Sequence, residues 1–203
     1  MQPNRGSGDL TFTEAARRKQ IVTAALETIA ELGYTRASFA QIAKRAGLSS
    51  PGLISYHFAN KDELIGQVVA HVYATGSAIV RPRSDQSDTA AEALRGFVAG
   101  SIDFYATHRT HMLALTQILN GHPEARTRWF DQPNSAELDG IEEVLVRGQQ
   151  AGEFRDFPAR EIAVIIRDWL SGALLRMFVT PDLDVAAYTR ELVALCEHAV
   201  RSH

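Results

Sequence analysis

Apolar residues recur along this chain at helical spacing, and strand alternation is absent from the pattern. From Glu14, Ile21, Ala25, Ile29 and Leu32 fall at i, i+4, i+8 and i+11, one face of a helix that Gly33 ends. Ser38 opens the next helix with Gln41 at capping-box spacing, Phe39, Ile42, Ala43 and Ala46 face inward, and Gly47 stops it. Ser50-Pro51 predicts a cap followed by proline at the first helical position, with Ile54 and Phe58 inward at i and i+4. Asn60 and Glu63 repeat the capping-box spacing, and Asp62 and Glu63 favour the positive start of a fourth helix over about 61–79. A polar connection, RPRSDQSD, is expected over 81–88. Further helices are predicted at about 89–107, 110–120, 123–131, 136–151, 158–179 and 184–201, with breaks at 121–123, 132–134, 157–158 and 180–181. The expected fold class is all-α, and no tandem repeat of 20–50 residues is evident.

Composition adds two points. The 203 residues have a 45% hydrophobic fraction and a net charge of −3, with charge unevenly placed. Residues 1–60 carry 7 Lys/Arg against 4 Asp/Glu, a net of +3, so the remainder carries −6. A basic head on an acidic body fits an anionic partner for the head. Cys196 is the single cysteine, which excludes an intrachain disulfide and fits a reducing, cytoplasmic setting. No apolar run approaches the ~20 residues of a membrane span, and the first ten residues, read as a disordered arm, lack a signal-peptide core.

Residues 38–58, SFAQIAKRAGLSSPGLISYHF, carry the chemistry. Two short helices around a glycine turn form a helix-turn-helix, whose second helix fits a DNA major groove. With Ile54 and Phe58 inward, Gly52, Ser55 and Tyr56 fall on the opposite side, and Gly52 permits close backbone approach. Free N–H groups near Ser50 favour a phosphate, Lys61 is placed to reach another, and Tyr56 and His57 supply uncharged donors. Core packing by Tyr56 and His57, or a solvated Lys61, is the plainer alternative. Arg17, Arg18 and Lys19 form either a solvated face or a set that brushes the phosphate backbone.

The order ELGYTRAS, FAQIAKRAGLS, SPGLISYHF and NKDEL within residues 17–65 resembles the TetR-type bacterial transcriptional regulators. About a quarter of the chain carries this resemblance. It departs from the family in having an extra residue in the turn, where Ser49-Ser50 precede Pro51-Gly52, and in having Ser55 where a tyrosine is common. The resemblance implies that His57 and Lys61 stand at phosphate-contacting positions and that Ser38 places a hydroxyl near the DNA backbone. It implies an N-terminal arm and DNA-binding head over 1–60, and an effector-binding and dimerisation domain over 61–203 joined through the 61–79 helix. The implied function is a repressor released from a palindromic operator by a small molecule. Family habit, rather than any residue here, favours repressor over activator.

For the effector pocket the apolar, aromatic and polar candidates are Phe97, Phe104, Tyr105, His108, Met112, Gln117, Trp129, Phe130 and Trp169, with core packing as the alternative for each. For the homodimer surface the last two long helices offer Trp169, Leu170, Ala173, Leu174 and Met177, then Leu192, Leu195, Cys196 and Ala199, unless these fill the protomer's own core. His108 and His111 lack the partners of a metal set, and neither a metal nor a cofactor is expected. No nucleophile elbow, phosphate loop or paired acid and base is identifiable, which disfavours a helical enzyme. A protein-interaction adaptor remains the other alternative, distinguished by absence of salt-dependent DNA binding.

Overall fold

A computed structural model describes residues 12–202, apart from the side chains of Phe12, Pro82 and residues 129–136. The first ten residues, read as an arm, lie outside the described residues. The described chain is helical: α1 (Phe12–Leu32), α2 (Phe39–Arg45), α3 (Gly52–His57), α4 (Lys61–Asp85), α5 (Ala90–Thr107), α6 (Arg109–Gly121), α7 (Asp131–Gln150), α8 (Ala159–Val179) and α9 (Val185–Val200). A π-helical turn, Arg126–Phe130, leads into α7. Extended pairing among the described residues amounts to an isolated bridge between Phe154 and Arg201. Among these residues no helix is long and apolar enough to cross a membrane.

Local chemistry accounts for the short elements. Gly33 ends α1 at φ 83°, and its N–H donates to Ile29 O at 2.9 Å. Ser38 Oγ accepts from Gln41 N at 3.3 Å and starts α2. Gly47, at φ 64°, ends α2 in a Schellman motif: Leu48 N donates to Ala43 O at 2.9 Å and Gly47 N to Lys44 O at 3.2 Å. Thr89 and Glu92 close a reciprocal capping box on α5.

Two apolar clusters organise the packing. One joins α1, α2, α3 and the first half of α4 to Phe104, Met112, Ala114 and Ile118, so it runs on past residue 60 into the body. The other is built from α5, α7, α8 and α9 around Leu94, Ile102, Leu145, Ile166 and Leu170. Tyr105 packs against both. Surface ion pairs lace neighbouring body helices, Arg83–Asp103 at 2.7 Å between α4 and α5 and Arg95–Glu197 at 2.6 Å between α5 and α9.

Three local expectations are corrected. The helix predicted to stop near 79 continues to Asp85, through Pro82. Proline removes a helical N–H, but tertiary packing outweighs that loss here. Gly96 and Gly100 of α5 let α4 approach so closely that a Cβ on Gly96 would stand 2.4 Å from Arg83 O. The break expected at 132–134 is absent: the π-helical turn Arg126–Phe130 runs directly into α7, which carries Pro133 as its third residue. Finally, Ser50 provides no side-chain cap to α3. Pro51 occupies the N-cap position, at φ −61° and ψ −26°, and Ile54 N donates to its carbonyl at 3.0 Å.

Candidate nucleic-acid interface

The helix-turn-helix is held from behind. Ile54 is 0% exposed and Phe58 1%, both inside the cluster shared with α1 and α4. Gln20 of α1 donates to Ala46 O at 2.7 Å, tying the turn to the first helix. Arg45 pairs with Glu27 and Glu31, fixing α2 against α1. The second helix therefore presents a defined face outward: Pro51, Gly52, Leu53 and Ser55 are exposed, and Tyr56 is 75% exposed.

Leu53, 40% exposed, is a member of that face which the sequence reading missed. The signal was available, because a residue immediately preceding the inward Ile54 cannot share its side of a helix. Ser38, at the start of α2, and Ser50, in the turn, are exposed. His57 is half-buried, with its ring edge-on to Tyr56 at 5.1 Å. The structure thus brings Ser50, Pro51, Gly52, Ser55, Tyr56 and His57 together on or next to one short helix.

Lys61 has a second commitment. Its Nζ donates to Tyr34 O at 2.9 Å and lies 4.2 Å from the centre of the Tyr34 ring. Burial pushes its pKa down, partly opposed by Asp62. Tyr34 in turn meets His122 edge-on at 5.5 Å, and Gly121 approaches the Tyr34 side chain so closely that a Cβ there would stand 2.9 Å away. Asp62 lies 3.5 Å from His122 and 2.9 Å from Arg128 of the π turn. The start of α4 is thereby tied both to the end of α1 and to the end of α6.

The chain reversal between α3 and α4 is equally constrained. Glu63 N donates to Asn60 Oδ1 at 2.9 Å, as the capping spacing predicts. The Glu63 carboxylate reaches one residue further back than a capping box requires, accepting from Ala59 N at 2.7 Å. That bond, followed by Arg18, holds the Glu63 carboxyl below its usual range against the opposing effect of burial.

Farther from the head, the pocket candidates scatter. Phe104 and Met112 fill the first core cluster, and Phe97 packs against the second. Gln117 is exposed and sits against Gly33 at the joint between head and body. Trp169 is on the outer surface. The side chains of Trp129 and Phe130 lie outside the described residues. Tyr105 contributes to a cavity of about 140 Å³ lined also by Arg109, Leu174, Met177 and Phe178. Burial, then Glu137 and Tyr73, push the Tyr105 phenol well above its ordinary pKa. Glu137 is itself held above the usual carboxyl range by burial, with Arg167 opposing. His108 meets His111 at 5.2 Å, and His111 meets His71 at 5.7 Å. Among the described residues, no group of three His, Cys, Asp or Glu is placed to hold a metal ion.

Five of the nine dimer-surface candidates face inward. Leu170, Ala173, Met177, Leu192 and Cys196 are buried inside the protomer and fill its second core cluster. Leu174 and Ala199 are half-buried. The outward apolar positions are Ile165, Trp169, Leu175, Val179 and Leu195, between 37% and 64% exposed. Helices α8 and α9 are apolar on more than one side, so periodicity did not choose which side the protomer's own α5 and α7 would take.

An all-helical body behind a helix-turn-helix head defines the class as helix-turn-helix proteins. Residues 21–68 match the family of bacterial regulatory proteins named for tetR. The HTH-type transcriptional regulator BetI 1 of Chromohalobacter salexigens is 36% identical over 97 residues, covering 47% of this chain and 48% of that protein. The chain's match thus spans about half the length of that relative. BetI of Ectopseudomonas mendocina is 29% identical over 169 residues, covering 78% of this chain and 82% of the relative. The crystal structure of the transcriptional regulator FadR from Bacillus subtilis, in complex with stearoyl-CoA, shares the fold with a TM-score of 0.79 at 21% identity, over 88% of this chain and 96% of that one. Residues 21–68 thus match the tetR family's model, and the chain shares the fold of solved regulators of that kind.

Proposed function

We propose that this chain is a cytoplasmic DNA-binding transcriptional regulator, a repressor that acts as a homodimer and leaves its operator when a small molecule binds the body. The observation that carries the reading is the outward face of α3, with Gly52, Leu53, Ser55 and Tyr56 exposed while Ile54 and Phe58 anchor the helix. Tyr56 and Leu53 give this six-residue helix an outward edge with aromatic and apolar groups that a partner can cover. A DNA groove supplies that partner, with base edges and thymine methyls for the helix face. Ser38, Ser50, Pro51, His57 and Lys61 flank it as positioning groups for phosphates. The regulator names of the relatives support the same reading.

Residues 1–60 then supply the DNA-binding head and 61–203 the regulatory body. The outward stripe of Ile165, Trp169, Leu175, Val179 and Leu195 is the surface for a second copy. Pairing two heads sets two recognition helices ~34–36 Å apart, the spacing of successive major-groove faces. FadR, bound to stearoyl-CoA, supports a small-molecule effector in the body. An effector shifts the equilibrium by preferring one head arrangement, and α4 transmits that preference because it starts at the Tyr34–His122 joint and packs along α5.

Selection of genomic fragments on the purified protein tests the reading. The expected result is enrichment of a near-palindromic site whose binding weakens steeply with salt and which lowers transcription from an adjoining promoter. Recovery of no enriched site at low salt would overturn it.

A further inference from the structure

We infer that Arg18 is a positioning residue for DNA recognition: it locks the C-terminal end of α3 to α1 and α4 and makes no phosphate contact itself. Three partners meet on one guanidinium. Nη1 donates to the carbonyl of His57 in the last turn of α3. Nη2 donates to Glu63 Oε1 of α4 at 3.2 Å. The guanidinium carbon lies 4.2 Å from the centre of the Phe58 ring.

Each contact has its own reason. A cation at a helix C-terminus satisfies a carbonyl without an intrahelical partner and opposes the negative end of the dipole. Stacking on Phe58 uses the planar face of arginine, and the Glu63 pair uses its edge. Glu63 passes the constraint on, since its other oxygen accepts from Ala59 N at 2.7 Å. The reversal from α3 to α4 is therefore gripped by Arg18 on one side and Glu63 on the other.

Such a grip matters for a helix as short as α3. Gly52–His57 has six residues and no side-chain cap at its start. Isolated helices of this length are unstable in water, so its direction is set by Ile54, Phe58 and whatever fixes its end. Neighbouring Arg17 and Lys19 are exposed, while the Arg18 side chain is 22% exposed and turned into the head. A phosphate contact would require it to leave its partners.

The inference rests on the DNA-binding reading above, and the experiment separates the two. Wild type, Arg18→Gln, Arg18→Lys and Glu63→Gln are compared for operator affinity across a salt series and for amide exchange over residues 52–58 without DNA. The clamp predicts that both Arg18 variants lose operator affinity about tenfold or more, the scale of one charge-assisted hydrogen bond. It predicts that the slope of log affinity against log salt is unchanged, that exchange over 52–58 is faster, and that Arg18→Lys does not rescue, because an ammonium cannot stack and fork at once. Glu63→Gln shows the same pattern more weakly and keeps the test open if Arg18→Gln unfolds the head. A slope reduced by about 0.9 in Arg18→Gln, restored by Arg18→Lys, identifies Arg18 as a phosphate contact and overturns the inference. Unchanged exchange over 52–58 overturns it as well. If wild type binds no DNA, the functional reading fails while the exchange result still judges the clamp.

Discussion

Replacing Gly96 with alanine should destabilise the protein, although alanine is the better helix former. A Cβ at this position would stand 2.4 Å from Arg83 O and 2.9 Å from its carbonyl carbon, backbone atoms of α4 that cannot rotate away. Ordinary contact begins at 3.4 Å, so α4 and α5 must separate locally by about 1 Å. Overpacking of this kind costs about 1–3 kcal/mol. Removing a helix glycine returns about 0.5–1 kcal/mol, and since the clash is with rigid backbone the cost lies toward the upper end, so a net loss of up to about 2.5 kcal/mol is expected. Gly140 on α7 provides the control, since a Cβ there meets nothing within 4 Å. Gly140→Ala should stabilise by about 0.5–1 kcal/mol, the same substitution with the opposite sign. Urea unfolding reads both, with the Gly96→Ala midpoint lowered by about 0.5 M or more and the Gly140→Ala midpoint raised. If Gly96→Ala proves as stable as Gly140→Ala, close approach of α5 is not what carries α4 through Pro82.

Leu195→Asp should raise the dimer dissociation constant about 100-fold or more, by placing a charge in the outward apolar stripe; sedimentation that finds no change in association refutes that surface. Burial, with Glu197 assisting, pushes the Cys196 thiol up to about 11, so at pH 8 the native chain should alkylate about 100-fold more slowly than the same thiol at its ordinary value. Labelling as fast as in the unfolded chain would contradict this. The folded Glu63 pKa is depressed, so its contribution to head stability is present above the unfolded value of about 4.3 and lost as pH falls through the folded value. Thermal melts from pH 6 to pH 3 should show this loss in wild type and a shallower one in Glu63→Gln.

The local elements were legible because short-range chemistry makes them. Ser38, Gly33, Gly47 and the Asn60–Glu63 pair act within a few residues of themselves, and Ile54 and Phe58 face inward on spacing alone. Arg18 was not legible as a clamp, because its partners His57 and Glu63 lie 39 and 45 residues away. Lys61 reads as a free lysine in the sequence, yet it reaches back 27 residues to Tyr34. Pro82 reads as a breaker until Gly96 and Gly100 are seen to draw α4 alongside α5.

By itself the sequence determined the helical periodicity, the turn of the helix-turn-helix and the inward pair that aims its second helix. These follow from backbone preferences and side-chain spacing, which act locally. Tertiary structure decided which side of α8 and α9 is core, how far α4 extends, and which head cations are already held by protein partners. Those outcomes depend on the volume and hydrogen-bonding groups that distant helices bring to the same place, and no local pattern encodes them.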